Sequence, residues 1–226
     1  MKERYKRNTE AVSEEENTAL FGKKVCITGC GGLGGYIIEI LARIGVGHLI
    51  VVDGDVFEES NLNRQLFSKI SLLGESKAKA AYDRVLEINP DVKVKYIYDF
   101  LNEDNYSEII GNSDVVVDAL DSIKTKKFLQ KVCEDLEIPL VHGAVGGWYG
   151  QVSVIFPGDR ILDFVYKGTS DKGMEKVLGN LPFVVSYTAS QQSAEVIKIL
   201  LNRGNLLRKK VLFIDLLNNE SEVINL

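Results

Sequence analysis

The chain is poor in residues that build covalent or metal-held frameworks. Three cysteines (Cys26, Cys30, Cys133) and two histidines (His48, His142) occur among its 226 residues. No two cysteines have C-x-x-C spacing and none follows Cys133. A disulfide framework and a tetrahedral thiolate zinc site are therefore not expected, and reduced thiols are the default. Also missing is any apolar run near the ~18 residues that a bilayer span needs. The N-terminal MKERYKRNTEAVSEEEN lacks the apolar core of a secretory signal. A cytoplasmic location with no membrane partner is expected. The net charge of -5 lacks the cationic excess on which phosphate neutralisation rests, which argues against nucleic acid as a partner.

What is there is an ordinary globular composition, 45% hydrophobic and 26% charged. At roughly 150 residues per domain, this length asks for one domain. We expect a polar, Glu-rich arm over residues 1–20, with no apolar stripe for docking on its own domain, and a single domain over 21–226. From Lys23 strand-like and helix-like segments alternate. KKVCIT (23–28) precedes YIIEILARIG (36–45), whose apolar residues fall at helical spacing. HLIVVD (48–53) is a continuous apolar strand, and the amphipathic SKAKAAYDRVLEIN (76–89) is stopped by Pro90. VKVKYIYDF (92–100), a short helical stretch around EDNYSEII, DVVVDAL (114–120), the helical KTKKFLQKVCEDLEI and PLVHGAV (139–145) continue the series. This pattern predicts an α/β, Rossmann-like doubly wound, mostly parallel sheet with helices on both faces. GQVSVIF (150–156), KVLFIDLL (210–217) and SEVINL (221–226) read as antiparallel C-terminal strands around a helix near SQQSAEVIKILLNR. Residues 157–182 have weak periodicity and read as a long irregular segment of the functional kind.

Gly29, Gly31, Gly32 and Gly34 stand between the first strand and the first helix with G-x-G-x-x-G spacing, and Asp53 closes the next strand. Such a turn cradles phosphates. Glycine lets the backbone approach the ligand, the helix N-terminus offers unpaired N–H groups, and the carboxylate accepts from ribose hydroxyls. By itself the motif does not separate NAD from ATP. The following DGDVFEESNLNRQLF groups Asn61, Arg64 and Gln65 just beyond the ribose carboxylate, donors that a triphosphate needs and a dinucleotide does not. Lys77, at the start of the next helix, adds a cation for the β- or γ-phosphate, and Asp121 supplies a carboxylate that could hold Mg²⁺. Asp55 and Ser122, beside Asp53 and Asp121, complete the candidate nucleotide-binding set.

GCGGLGG, DGDVFEESNLNRQ, GESKA and DALDS closely resemble the ThiF/MoeB/HesA family, relatives of the ubiquitin-activating enzymes, as do RYKRN (4–8) and GAVGGWYGQVSVIFP (143–157). The resemblance implies an adenylyltransferase that binds ATP through Gly32, Asp53, Asn61, Arg64 and Lys77, with Asp121 on Mg²⁺. It implies a homodimer in which Arg7 of one subunit's arm reaches the other's phosphates. Arg64, Lys77, Asp121 and Arg7 would then carry catalysis. The implied substrate is the C-terminal glycine carboxylate of a small ubiquitin-like (β-grasp) sulfur-carrier protein ending in Gly-Gly.

Two departures from that family stand out. The chain lacks the later cysteines, so no zinc is expected, no thioester follows, the reaction stops at the acyl adenylate and a separate protein donates sulfur. Cys26 and Cys133 read as structural, while Cys30 would face the nucleotide. Ser122 and Lys126 stand where the family more often has Asn and Arg. DALDS also resembles the tRNA threonylcarbamoyl-adenosine dehydratases, a second substrate class. An NAD-dependent oxidoreductase or a non-catalytic nucleotide-binding regulator is a further alternative. His48 and His142 show no partner in the sequence and read as core or strand-edge residues. Trp148 and Tyr149 fit either core packing or a channel for a carrier tail.

Overall fold

A computed structural model describes residues 2–168 and 178–226. Its sheet has eight strands in the order β3-β2-β1-β4-β5-β6-β7-β8. These are β1 (Lys24–Thr28), β2 (His48–Val52), β3 (Lys93–Ile97), β4 (Val115–Asp118), β5 (Leu140–Gly146), β6 (Tyr149–Ile155), β7 (Lys210–Asp215) and β8 (Glu220–Asn225). The first five are parallel, with Cys26 opposite both Ile50 and Val116, and the last three run antiparallel. Val25–Ile27 of β1 and Val115–Val117 of β4 are buried and apolar because both faces of these strands are covered. Val25, Ile27, Val115 and Val117 join one core with α2 (Gly32–Ile44), α3 (Lys77–Ile88) and α7 (Pro182–Leu201). Cys26 and Val116 join the other with α4 (Tyr106–Ile110), α5 (Ile123–Asp135) and α6 (Ile161–Val165). At the far edge every residue of β8 is exposed.

The structure corrects four sequence expectations. The arm docks on its own domain after all. Tyr5 in the turn Glu3–Asn8 is buried, its hydroxyl accepts from Asn89 Nδ2 at 2.8 Å, and a Cβ at Gly45 would meet its ring at 2.8 Å. One aromatic side chain in a glycine-lined notch does what an apolar stripe would do elsewhere. Helix α1 (Glu14–Phe21) follows behind a Ser13/Glu16 capping box and buries Leu20. The third strand ends at Ile97 rather than residue 100, and the last long helix begins at Pro182, where proline is favoured in the first turn. Within 157–182 the described residues include helix α6; residues 169–177 lie outside the described part.

Candidate active site

Strands β1, β2 and β4 end side by side, and the segments leaving them line one cleft of about 550 Å³, within the ~300–1,000 Å³ range of small-molecule sites. Its floor is the glycine turn. Gly29 has φ +96°, and a Cβ there would lie 2.5 Å from the Ala119 carbonyl oxygen, so the turn needs both the left-handed backbone and the missing side chain. A Cβ at Gly34 would lie 1.8 Å from the Gly29 carbonyl oxygen, and this closeness folds the turn onto the start of α2. Gly29, Gly31 and Gly32 face the cleft, where the first N–H groups of α2 emerge.

Asp53 braces this turn. Its Oδ2 accepts the Cys30 N–H at 2.7 Å and its Oδ1 accepts the Asp55 N–H at 2.8 Å. Burial raises its carboxyl pKa, opposed by these two hydrogen bonds. Cys30 itself turns away from the cleft. Its side chain is fully buried in the core and its thiol is pushed well up by burial, a correction to the expectation that it faces nucleotide. The Cys30 N–H is tied to Asp53, and its side chain enters the core beside α2.

Around this floor the structure assembles most of the sequence candidates. Asp53, Asp55, Asn61, Arg64, Gln65, Lys77 and Asp121 all line the cleft. Arg64 is held by the Ser60 carbonyl at 2.9 Å and Asn63 Oδ1 at 2.8 Å. Lys77, the first residue of α3, sits 3.2 Å from Asp55 Oδ2. The Asn61 amide oxygen accepts from the Glu58 N–H at 3.1 Å, which shapes the turn before Arg64. Gln65 lies against Gly31, and its buried Oε1 has no hydrogen-bond partner. Asp121 is exposed at the rim. Ser122 does not line the cleft; its hydroxyl accepts the Thr125 N–H at 3.2 Å and caps α5. Arg7 is exposed on the docked arm, outside this chain's own cleft. Trp148 and Tyr149 also lie outside it, paired with Phe183 and Phe213 at ring-centroid distances of 5.0 and 5.8 Å.

Residues 5–226 match the ThiF family. The chain belongs to that family. It is 36% identical over 230 residues to the SAMP-activating enzyme E1 of Haloferax volcanii, covering 98% of this chain and 84% of that one. With the molybdopterin-synthase adenylyltransferase of Haemophilus influenzae it shares 32% identity over 201 residues, 87% of this chain and 82% of the other. The crystal structure of E. coli MccB with ATP has the same fold, with a TM-score of 0.83 at 22% identity over all of this chain and 71% of that one. This ThiF-family chain is thus an enzyme of the adenylyltransferase, modifier-activating class, which removes the oxidoreductase and the non-catalytic regulator from consideration.

Sequence reasoning missed a buried charge cluster beside the ThiF-family cleft. Asp118 ends β4 with no exposure; Lys126 Nζ lies 3.1 and 3.2 Å from its two carboxylate oxygens and 2.9 Å from the Gly143 carbonyl. His142 Nδ1 lies 2.7 Å from Asp118 Oδ2 and so has the partner the sequence did not reveal. Burial pushes the Asp118 carboxyl up, but the Lys126 charge and the His142 hydrogen bond outweigh it and hold its pKa down. Burial lowers the His142 pKa against the pull of Asp118, so the imidazole is neutral at pH 7 and donates from Nδ1. The available signal was the charged residue closing the otherwise apolar DVVVD. Phe100, Leu101 and Asn180 also line the cleft without having been singled out.

Proposed function

We propose that the protein uses ATP to adenylate the C-terminal glycine carboxylate of a small ubiquitin-like sulfur-carrier protein ending in Gly-Gly. The observation that carries this reading is the convergence of the glycine turn, Arg64, Lys77, Asn61, Gln65 and Asp121 on one cleft. Two features fit a nucleotide there: the turn leaves no room for side chains, and the Gln65 Oε1 is a buried acceptor still without a donor. The relatives, a SAMP-activating enzyme and a molybdopterin-synthase adenylyltransferase, support the carrier class, and the ATP of MccB supports the nucleotide.

In this reading a carrier carboxylate oxygen attacks the α-phosphorus. The bond from that phosphorus to the β-bridging oxygen breaks, and pyrophosphate leaves with the bonding electrons. Arg64 and Lys77 offset phosphate charge, the α2 N–H groups hold phosphate oxygens, and Asp53 orients the ribose. Asp121, a hard oxygen donor exposed at the rim of the cleft, would hold Mg²⁺, which when bound would neutralise phosphate charge. All three thiols are buried, which supports a reaction that stops at the acyl adenylate, with sulfur supplied by a separate protein. We further read residues 21–226 as one catalytic domain acting in a cytoplasmic homodimer, with Arg7 of each arm completing the partner's site.

The test is ATP–pyrophosphate exchange. Exchange is expected only when a Gly-Gly-ended carrier is added, and exchange that proceeds without any carrier would refute the reading. The same assay with a carrier lacking its last glycine should fall to background.

A further inference from the structure

We propose that Phe100 is the platform on which the purine ring of the nucleotide stacks, an inference that rests on the ATP-using reading and adds a nucleotide-positioning residue to it. Phe100 follows β3 and lines the cleft, yet it is 62% exposed. Its ring lies directly over Gly54: a Cβ there would stand 2.7 Å from Cδ2 and Cε2 and 2.8 Å from Cγ. Gly54 is not among the glycines with positive φ, so the backbone conformation does not require glycine at this position. What requires it is room for the ring.

The loop around Phe100 is braced. The Phe100 N–H donates to Asp99 Oδ1 at 2.7 Å, and its carbonyl accepts from Asn105 Nδ2 at 3.0 Å and Asn102 Nδ2 at 3.3 Å. Asn102 N–H in turn donates to Asn105 Oδ1 at 2.9 Å. The ring is therefore seated against the Gly54 backbone on a braced loop, at the border of the cleft. Tyr98, also exposed on this strand end, does not line the cleft.

Position in the cleft identifies the ligand part. The glycine turn marks the phosphate end, and Asp53, next to Gly54, marks the ribose. A base attached to that ribose lies on the side away from the phosphates, where Gly54, Phe100 and Leu101 form the wall. A flat π-face offered to a planar heterocycle gives stacking that tolerates base identity.

The experiment compares equilibrium binding of ATP and of ribose 5′-triphosphate, which lacks the base, to wild type, Phe100→Ala and Phe100→Trp. Wild type should bind ATP about tenfold or more tightly than ribose triphosphate. Phe100→Ala should weaken ATP by about tenfold and leave ribose triphosphate unchanged. Phe100→Trp should retain ATP affinity and show an ATP-dependent emission change beyond that of wild type, whose sole tryptophan is Trp148. Equal ATP binding by wild type and Phe100→Ala overturns the platform alone, as does an equal loss for both ligands. Binding of neither ligand by wild type overturns the ATP-using reading and the platform with it.

Discussion

Replacing Lys126 by methionine keeps the length of the side chain and removes its charge from the most buried ion pair beside the cleft. In the wild type the ammonium is shared by both Asp118 oxygens and the Gly143 carbonyl, with the two side chains 4% and 0% exposed. Breaking such a pair from one side leaves an uncompensated buried charge and typically costs about 3–5 kcal/mol. Asp118 has one other recourse, His142 at 2.7 Å, which can take up a proton and become its counter-ion. The substitution should therefore cost less at low pH, where His142 protonates more readily than in the wild type. In the wild type His142 has a folded pKa below its unfolded value of about 6.5, so the unfolded state binds more protons and stability falls as pH drops below ~6.5. In Lys126→Met burial still lowers the folded pKa, but the added lowering by Lys126 is gone, so the value rises toward that of the unfolded state. The stability that the wild type loses below pH ~6.5 is then lost less steeply in the variant, so the two differ less at pH 6 than at pH 8. The expected result is a loss of about 3–5 kcal/mol at pH 8, or a melting midpoint about 6–20 °C lower at ~2–4 °C per kcal/mol, and a clearly smaller loss at pH 6. Urea unfolding followed by circular dichroism at the two pH values measures this. A loss equal at both, or one below about 1 kcal/mol at pH 8, would refute the account. Adding Asp118→Asn should recover part of the stability by removing the orphaned charge.

Four further outcomes follow from the geometry. Gly34→Ala drives a Cβ to 1.8 Å from the Gly29 carbonyl and should abolish nucleotide binding, whereas Gly22→Ala, with its nearest neighbour at 3.5 Å, should leave binding unchanged; isothermal titration separates the two. Arg64→Ala and Asp121→Ala should each slow adenylation by about a hundredfold, as loss of a preorganised transition-state partner does, with unchanged circular dichroism; full activity in both would remove them from the proposed machinery. Because Cys26, Cys30 and Cys133 are buried and burial raises each pKa, that of Cys26 to about 12, a thiol reagent should find no reactive cysteine in native protein and three in denaturant. Mixing Arg7→Ala with Arg64→Ala subunits should restore one good site per mixed dimer if the arm acts across a two-fold, and mixed dimers with no recovered activity would show that it does not.

By itself the sequence determined the sheet and most of the cleft. Continuous apolar strands alternating with amphipathic helices leave few ways to bury both faces of β1, β2 and β4, and the glycine spacing between β1 and α2 places a phosphate-sized turn at their carboxyl ends. Asp53 and Asp121 were legible because they follow β2 and β4 closely in the chain, and Arg64 and Lys77 because they stand in the segment from β2 to the start of α3. Tertiary structure alone decided which side chains from different elements meet. Tyr5 found Gly45 and Asn89, Asp118 found Lys126 and His142, and Phe100 found Gly54. No local periodicity encodes these meetings, because they depend on which strand ends and helix ends the fold sets side by side. Tertiary structure also decided which way Cys30 points, since the backbone N–H of that residue is fixed by Asp53 and its side chain has only the core to enter.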